Sequence, residues 1–322
     1  MGVDRREALS PLLSPLLARC DFPPYGSEVT CAVSGGADSL ALLALAMAGG
    51  LVVTAVHVDH GLRPGGEAEA GVVREVADQL GAWFRAVRAL VDSGPNLEAR
   101  ARAARYRALP PGVLTGHTAD DQAETVLANL LRGAGRDGLA GMRSANIASS
   151  ASIAAGFDRV RRPLLGLRRT ETRALCAELE FPVVEDPSNR DPRFVRNRIR
   201  AEVLPLLAEV SGRDPVPVLV RQAEIMAAEA DLLDELAAAI DPTDAKALAA
   251  ANPVLARRAV RRWLRHEAGD PEFHPPSAAE VARVLAVAAG HVVACELTGG
   301  RRVRRSAGRL YLSGPGSLVG PR

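Results

Sequence analysis

Several residue types that binding sites often need are scarce in this sequence. Aromatic residues make up 3% of the 322 residues, which leaves little material for stacking nucleic-acid bases. Lysine occurs once, at Lys246, so the other 39 of the 40 basic residues are arginine. Together with the abundance of alanine, this bias indicates genomic base composition rather than selection for guanidinium chemistry. An arginine cluster is therefore weak evidence of a binding site when it stands alone.

Cysteine is also scarce, and long apolar runs are missing. The four cysteines, Cys20, Cys31, Cys176 and Cys295, lie far apart and form no C-x-x-C pair, which argues against a zinc ribbon, an iron–sulfur site or a disulfide framework. No apolar stretch reaches the ~20 residues that cross a bilayer, and the N-terminus lacks the apolar core of an export signal. We expect a cytoplasmic protein with no membrane partner.

The remaining composition is that of an ordinary globular protein. Hydrophobic residues make up 48% and charged residues 24% of the chain, and the net charge is +2. This near-neutral balance gives no argument for a nucleic-acid partner, which only the local placement of charge can supply. The length predicts one nucleotide-sized α/β domain and a smaller appendage.

Strands and helices alternate through the first part of the chain. The β-branched run 27–33 leads into the glycine-rich residues 34–39 and the leucine-rich stretch 40–48, which predicts a strand, a turn and a helix. Further strands are predicted at 51–58, 84–91 and 113–116, and further helices at 67–80, 96–109 and 119–131. This alternation is typical of an α/β fold with a parallel, Rossmann-like sheet covered by helices. The weakly periodic stretch 144–155 is predicted to be a surface connection.

The last third of the chain has a different pattern. From about residue 216 it is rich in alanine, with helical periodicity at 218–240, 253–267 and 277–289, followed by a predicted strand pair at 293–297 and 310–313. We therefore predict two domains. Residues 1–212 form the α/β domain, and residues 213–322 form a smaller, mainly helical C-terminal domain.

The segment Ser34-Gly35-Gly36-Ala37-Asp38-Ser39 indicates phosphate binding. Backbone N–H groups of a glycine-rich turn close on phosphate oxygens, and the helix N-terminus adds positive potential. Ser34 and Ser39 supply hydroxyl donors, and Asp38 is placed to hold a Mg²⁺ ion between phosphates. The lysine of the common G-x-x-x-x-G-K-S/T loop is missing. The S-G-G-x-D-S form instead resembles the loop of the ATP-pyrophosphatase (PP-loop) superfamily, whose members release pyrophosphate and transfer AMP to a substrate oxygen.

A second polar segment, residues 115–125, follows a predicted strand and opens a predicted helix. Asp121 and Glu124, three residues apart, share a face of that helix, as do Asp120 and Glu124, four residues apart. Like charges this close are unfavourable unless a cation lies between them. The residues alone leave three alternatives, which are a bound cationic substrate, a carboxylate-capped helix start and a magnesium site.

Further motifs follow in order along the chain. They are H-V-D-H-G-L-R at 57–63, A-R-A-R-A-A-R-Y at 99–106, R-G-A-G at 132–135, R-P-L-L at 162–165, V-E-D-P-S-N at 184–189 and F-V-R-N-R-I-R at 194–200. Together with the phosphate loop and segment 115–125, this series resembles the tRNA(Ile)-lysidine synthase family over about residues 27–208. Thr118 stands where many members carry a second histidine, so we assign no chemistry to it.

The resemblance implies roles for individual residues. It implies that Asp121 and Glu124 hold and deprotonate the ammonium group of a substrate lysine, with His117 beside the base to be modified. The implied catalytic residues are Asp38, Arg100, His117, Asp121 and Glu124. The residues implied to contact ATP are Ser34, Gly35, Gly36, Asp38, Ser39, His57, Arg100 and Arg105. Those implied to face the tRNA and the adenylated intermediate are Asn189, Arg196, Asn197 and Arg198.

The resemblance also implies a reaction. ATP, with Mg²⁺, transfers AMP to the C2 carbonyl oxygen of the wobble cytidine of a CAU-anticodon tRNA(Ile). Free L-lysine then attacks C2 through its ε-amine and expels AMP, which yields lysidine. The helical domain is expected to contact the tRNA, with arginine stripes at 257–265 and 301–305 as candidates. Longer members carry a further C-terminal domain for which this chain has little room, so we expect a short form.

Three alternatives to this function remain. A PP-loop tRNA thiolase also adenylates a base carbonyl, but it needs an activated cysteine or an iron–sulfur cluster, against which the isolated cysteines argue. An amide-forming synthetase is disfavoured by the missing glutaminase domain and by segment 115–125. A non-catalytic nucleotide-binding module would have no use for a carboxylate pair beside the phosphate loop. No protein partner is implied.

Overall fold

The computed structural model describes residues 11–59, 61, 66–89, 97–144, 160–266 and 276–314, without the side chains of 97–99, 101–103, 189, 190 and 266. Contacts between residues divide this part of the chain into two compact units. The first unit ends at Met226, and the second begins at Ala227. The predicted surface connection at 144–155 lies, apart from Ser144, outside the described residues.

The first unit is built on a parallel sheet, as predicted. Its strands are β1 (Glu28–Ala32), β2 (Val52–Asp59), β3 (Trp83–Arg88) and β4 (Leu114–Thr115), in the order β3-β2-β1-β4. β1 pairs in parallel with both β2 and β4, so Cys31 lies opposite Ala55 on one side and Leu114 on the other. The α/β, Rossmann-like fold class is therefore confirmed.

A helix follows each of these strands. They are α1 (Ala37–Ala48), α2 (Gly66–Leu80), α3 (Leu97–Ala108) and α4 (Ala119–Leu131), close to the predicted bounds. In α1 the eight consecutive residues from Ser39 to Ala46 are all buried, which explains why its sequence is apolar on every face. The carboxyl ends of β1, β2 and β4 therefore lie at one edge of the sheet, where α1 and α4 begin.

The rest of the first unit adds helices of varied geometry. α5 (Arg169–Glu178) packs against α1, and a 3-10 turn (Pro187–Arg190) comes after it. One α-helical turn (Val195–Arg198) continues as a π-helical turn (Ile199–Val203) and then as α6 (Leu204–Ser211). A short helix (Arg136–Leu139) and the long α7 (Val216–Ala238), which extends into the second unit, complete the set. Among the described helices, none is long and apolar enough to cross a membrane.

The second unit combines helices with a small antiparallel sheet. Its elements are α8 (Ala245–Ala250), α9 (Pro253–His266), α10 (Ala278–Ala289), β5 (Ala294–Glu296), β6 (Arg302–Ser306) and β7 (Arg309–Ser313). The predicted pairing of the first and last strands was wrong, because β6 lies between β5 and β7. Segment 301–305 reads R-R-V-R-R and was predicted as an arginine stripe with no strand, yet Val303 is fully buried in β6. Its two neighbours in the strand point to the opposite face of the sheet.

Candidate active site

The phosphate loop lies between β1 and α1, as predicted. The Ser34 N–H donates to Ser39 Oγ at 3.1 Å, and the Ser39 hydroxyl donates to the Gly36 carbonyl at 2.8 Å, so the two serines brace the turn. Gly35 has φ +88°, and a Cβ there would lie 3.0 Å from a Val184 methyl group. Glycine is therefore needed at this position for both conformation and space. The turn presents backbone N–H groups at the N-terminus of α1, the geometry that binds phosphate.

Asp38, in the first turn of α1, faces a cluster of charged residues. Its Oδ1 accepts a hydrogen bond from the Thr172 hydroxyl, and its Oδ2 lies 3.5 Å from Arg169 Nε. Burial raises the pKa of Asp38, the Thr172 hydrogen bond opposes this, and the nearby charge of Asp121 raises the pKa further. A cation at this carboxylate would therefore stabilise its charged form.

The position of Asp38 beside the phosphate loop decides whether a magnesium ion fits this site. In the part of the chain that the structure describes, no group of three or more His, Cys, Asp or Glu side chains is arranged to hold a metal ion. Mg²⁺ is usually held by one or two carboxylates together with substrate phosphates. Asp38 beside the phosphate loop fits that kind of site, in which ATP supplies the other ligands.

Asp121 serves both the start of α4 and the charged cluster. Its Oδ2 accepts hydrogen bonds from the Thr118 N–H at 2.8 Å and the Thr118 hydroxyl at 2.9 Å, which forms a capping box. The capped-helix interpretation is thus correct for this oxygen. Its Oδ1 instead accepts from Arg169 Nη2 at 2.7 Å. Burial opposes ionisation, but the charges of Arg169 and His117 and the Thr118 donors lower the pKa of Asp121.

Glu124 lies one turn further along α4 and is only 1% exposed. Its Oε1 accepts from Arg169 Nη1 at 3.0 Å and from Arg200 Nε at 2.7 Å, and its Oε2 accepts from Arg200 Nη2 at 3.1 Å. Two guanidinium groups therefore hold this carboxylate, and they satisfy both of its oxygens with charge-assisted hydrogen bonds.

The cation between the α4 carboxylates belongs to the chain itself. The resemblance implies a substrate ammonium in that place. In this structure Arg169 occupies it and contacts Asp38, Asp121 and Glu124 with its three nitrogens. Neither Arg169 nor Arg200 was given a role from the sequence, although Arg200 ends the motif at 194–200. One signal was present, because Arg168 and Arg169 stand at the N-terminus of a helix, where positive charge is unfavourable unless carboxylates face it.

Asp120 has a separate structural task. Its two oxygens accept from Arg168 Nε and Nη2, each at 3.1 Å, and from the Arg169 backbone N–H at 2.8 Å. Arg168 also pairs with Asp214. Burial opposes the charge of Asp120, but the hydrogen bonds from Arg168 and Arg169 lower its pKa. Asp120 therefore fixes the start of α5 to the start of α4, which brings the Arg169 side chain to the cluster.

Two histidines and a glycine lie at the same edge of the sheet. His57 is 2% exposed, and its Nδ1 lies 3.0 Å from the Val33 carbonyl. Because a carbonyl only accepts, Nδ1 is the donor in this contact. His117 Nδ1 lies 2.8 Å from Thr115 Oγ1. A Cβ on Gly116 would lie 2.5 Å from the Asp38 carbonyl oxygen, so only glycine lets the end of β4 approach α1 this closely.

The remaining predicted residues lie on α3 and in the segment before α6. Arg100 is half-buried and Arg105 is exposed on α3, and their contact with ATP stays a prediction. Arg196 Nη2 donates to Thr125 Oγ1 at 3.1 Å, which places it against α4. Asn189 lies in the 3-10 turn, and its side chain is outside the described residues, as are His60 and Arg63 of the second motif.

Asn197 and Arg198 make contacts that support the local fold. The Asn197 amide donates to the carbonyls of Ser188 at 2.8 Å and Asp191 at 2.9 Å, which holds the 3-10 turn in place. Arg198 forms an exposed ion pair with Glu202 at 2.8 Å. Their predicted contacts with tRNA remain predictions.

The cysteines are not activated. Cys31 and Cys176 are buried, and Cys20 and Cys295 are partly buried. Burial raises the pKa of each thiol, to about 12 for Cys20 and Cys176. Because a nucleophilic cysteine needs a lowered pKa, sulfur transfer through one of these thiols is disfavoured.

Comparisons with known proteins match both parts of the chain. A family model described as PP-loop domain matches residues 14–207, and one described as TilS substrate binding domain matches residues 244–311. The tRNA(Ile)-lysidine synthase of Nocardia farcinica is 44% identical over 256 residues, which cover 76% of this chain and 77% of that protein. The chain belongs to the tRNA(Ile)-lysidine synthase family.

Another member of this lysidine synthase family aligns over more of the chain. The enzyme of Salinispora tropica is 39% identical over 322 residues, which cover 92% of this chain and 93% of that protein. Among solved structures, the U34-tRNA thiolase NcsA from Methanococcus maripaludis superimposes with a TM-score of 0.52 at 17% identity, covering 70% of this chain and 80% of that one. This second likeness shows a shared fold and does not bear on the choice between lysidine synthesis and thiolation.

Proposed function

We propose that this chain catalyses the two-step synthesis of lysidine in the cytoplasm. In the first step the C2 carbonyl oxygen of the wobble cytidine of a CAU-anticodon tRNA(Ile) attacks the α-phosphorus of ATP, and pyrophosphate leaves. In the second step the ε-amine of free lysine forms a bond to C2, the C2–O bond breaks, and AMP leaves. The observation that carries the proposal is the convergence of Asp38, Asp121 and Glu124 beside a PP-loop.

The charge balance of the cluster supports a cationic substrate. Three carboxylates, Asp38, Asp121 and Glu124, are matched by two guanidinium groups, those of Arg169 and Arg200. The carboxylates outnumber these guanidinium groups, so the cluster favours a bound cation. The ammonium of lysine, held by Asp121 and Glu124, meets that need and loses a proton to one of these carboxylates as its nitrogen attacks C2.

The residues around the phosphate loop would serve the first step. Backbone N–H groups at Gly35 and Gly36 and the hydroxyls of Ser34 and Ser39 bind the phosphates of ATP. Mg²⁺ held by Asp38 would neutralise charge as pyrophosphate leaves. His57 lies next to the loop and positions the adenosine part of ATP, with Arg100 and Arg105 assigned to the adenylate.

We assign catalysis to residues 1–212 and tRNA contact to residues 213–322, aided by Asn189, Arg196, Asn197 and Arg198. The predicted arginine stripes are only partly available for this contact. Arg258 Nε donates to Asp234 at 2.6 Å, and Arg301 is 9% exposed and donates to the Leu264 carbonyl. Arg262 is exposed but donates to the Asp234 carbonyl at 2.7 Å, so the exposed Arg257 and Arg302, one from each stripe, are better placed for phosphates. Replacing both by glutamine should make tRNA binding less sensitive to salt. A plot of log affinity for tRNA against log salt concentration should become shallower by about 0.9 for each phosphate that is no longer neutralised.

The test is to incubate the protein with unmodified CAU-anticodon tRNA(Ile), ATP, Mg²⁺ and labelled lysine, and to analyse the nucleosides by mass spectrometry. We expect lysidine, and we expect it to be lost in Asp38→Ala and Asp121→Ala. Glu202→Gln, an exposed carboxylate outside the site, is the matched control. If the protein instead cleaves ATP to AMP and pyrophosphate and modifies a different base or amine, the reaction would be that of the superfamily and the proposed tRNA and lysine substrates would be refuted.

A further inference from the structure

Arg169 is unusual in that one side chain satisfies three carboxylates from two different helices. Its Nη2 lies 2.7 Å from Asp121 Oδ1, its Nη1 lies 3.0 Å from Glu124 Oε1, and its Nε lies 3.5 Å from Asp38 Oδ2. The side chain is 14% exposed. Burial would lower the pKa of Arg169, but these carboxylates raise it above its ordinary value, so the group stays charged.

The guanidinium contacts the same oxygens that the proposed function assigns to the substrate amine. Asp121 has one oxygen engaged in capping α4, so its Oδ1 is the atom left for a cation, and Arg169 donates to it. Glu124 Oε1 is likewise in contact with Arg169. A substrate ammonium at Asp121 Oδ1 would meet the Arg169 guanidinium at contact distance, where like charges repel.

The carboxylates would keep their positions if Arg169 withdrew. Glu124 would retain two hydrogen bonds from Arg200, and Asp121 would retain its two bonds from Thr118. The backbone of Arg169 is fixed separately, because its N–H donates to Asp120 at 2.8 Å. The long side chain can therefore leave the site without unfolding either helix start, and anionic phosphates bound at the adjacent loop would attract it.

We propose that the Arg169 side chain is an internal occupant of the amine site, which holds Asp121 and Glu124 in place until the substrate ammonium takes over its contacts. This inference rests on the proposed function. It makes Arg169 a positioning residue that competes with the amine, whereas Arg200 is a fixed part of the site. It predicts that removing the guanidinium opens a binding site for other small cations.

The experiment compares Arg169→Ala with the wild type and with Arg168→Ala. Arg168 is the matched control, because it also pairs with carboxylates at the start of α5 but lies outside the cluster. Thermal unfolding is measured with and without millimolar ethylguanidinium or lysine, in the absence of ATP and tRNA. We expect ethylguanidinium to raise the melting temperature of Arg169→Ala and to leave the other two proteins unchanged.

Lysine binding gives the second readout. In Arg169→Ala the dissociation constant for lysine, measured by calorimetry, should fall by about tenfold, within the range usual for coupled ligands. The KM for lysine in the full reaction should fall with it, while kcat also falls because the carboxylates are less well held. Arg169→Lys keeps an internal cation, so it should bind lysine as the wild type does and should not respond to ethylguanidinium. Arg169→Met, which keeps the stem, replaces the alanine variant if that protein does not fold.

The outcomes separate the inference from the proposed function. Weaker lysine binding in Arg169→Ala and Arg169→Met than in the wild type would overturn the inference, because Arg169 would then help to bind the amine. Stabilisation of Arg169→Ala by ethylguanidinium, with no response of any variant to lysine, would support an exchangeable cation site and refute lysine as the substrate.

Discussion

Replacing Glu124 by glutamine tests whether the buried charge network holds the first unit together. The substitution keeps the size of the side chain and removes its charge. Glu124 is 1% exposed and accepts three hydrogen bonds from Arg169 and Arg200. An amide offers one acceptor oxygen to these donors, and its NH₂ group would face a guanidinium. The variant therefore loses charge pairing and gains an unfavourable contact.

The magnitude follows from what each arginine keeps. Removing one partner of a buried ion pair costs about 3–5 kcal/mol when the other charge is left without a partner. Here Arg169 keeps Asp121 and Asp38, and Arg200, 34% exposed, can turn towards water. We therefore expect the free energy of unfolding to fall by about 2 kcal/mol, which is less than that range. With a urea m value of about 2 kcal/mol/M, the unfolding midpoint should fall by about 1 M.

Urea unfolding followed by circular dichroism measures this shift, and hydrogen exchange of the α4 amides locates it. Glu202→Gln is the control, because Glu202 also pairs with an arginine, Arg198, but both side chains are more than half exposed. Its midpoint should not change, since exposed ion pairs contribute little. Equal midpoints for Glu124→Gln and the wild type would refute the view that this network stabilises the fold.

Three further predictions concern other parts of the chain. Burial opposes the charge of Glu280, but two backbone N–H groups and a hydroxyl lower its pKa from 4.5 to about 2. The charged Glu280 therefore stabilises the folded state fully above pH 4.5, and this contribution is lost as the pH falls towards 2. In Glu280→Gln, an acid titration of the melting temperature should be flatter than in the wild type. Gly116→Ala should lower the free energy of unfolding by about 1–3 kcal/mol and weaken the binding of an ATP analogue, because the added Cβ would press on the Asp38 carbonyl. Thermal unfolding and ligand titration measure these two effects. Asn197→Ala should speed limited proteolysis near Ser188 several-fold, because the amide that holds the 3-10 turn is removed.

The parts of the fold that sequence reasoning predicted well are those with a local cause. The strand before Ser34, the glycine turn and α1 follow from β-branched residues, from glycines and from an apolar helical run. The observed bounds of α4 agree with the predicted range 119–131, and a threonine N-cap and an acidic first turn mark its start in the structure. β6 was not predicted, because arginines surround its single buried residue, Val303, and the strand therefore lacks an alternating apolar pattern.

The candidate site was predicted only in part, for a reason of distance along the chain. Asp38, His117, Asp121 and Glu124 lie in motifs with recognisable spacing, so a resemblance could place them. Arg169 meets Asp121 and Glu124 across 48 and 45 residues of sequence, and nothing in its immediate neighbours reports that contact. Repulsion between the carboxylates predicted a cation between them, and in this structure Arg169 of the chain itself lies there. Contact of a substrate lysine with the same carboxylates stays a prediction.

The π-helical turn at Ile199–Val203 makes the site depend on the length of a segment as well as on its side chains. Arg196 and Arg200 meet α4 on one side of this turn, while Ile199 and Leu204 are buried in the core. A π-helical turn carries one residue more than the α-helical turn it replaces, so a single deletion here can be absorbed by narrowing the turn. A single insertion cannot be absorbed in this way, because each added helical residue rotates one part against the other by about 100°. Either the arginines would then leave α4 or the apolar residues would leave the core. Substitutions leave the number of residues unchanged, whereas single insertions and deletions test this dependence on length.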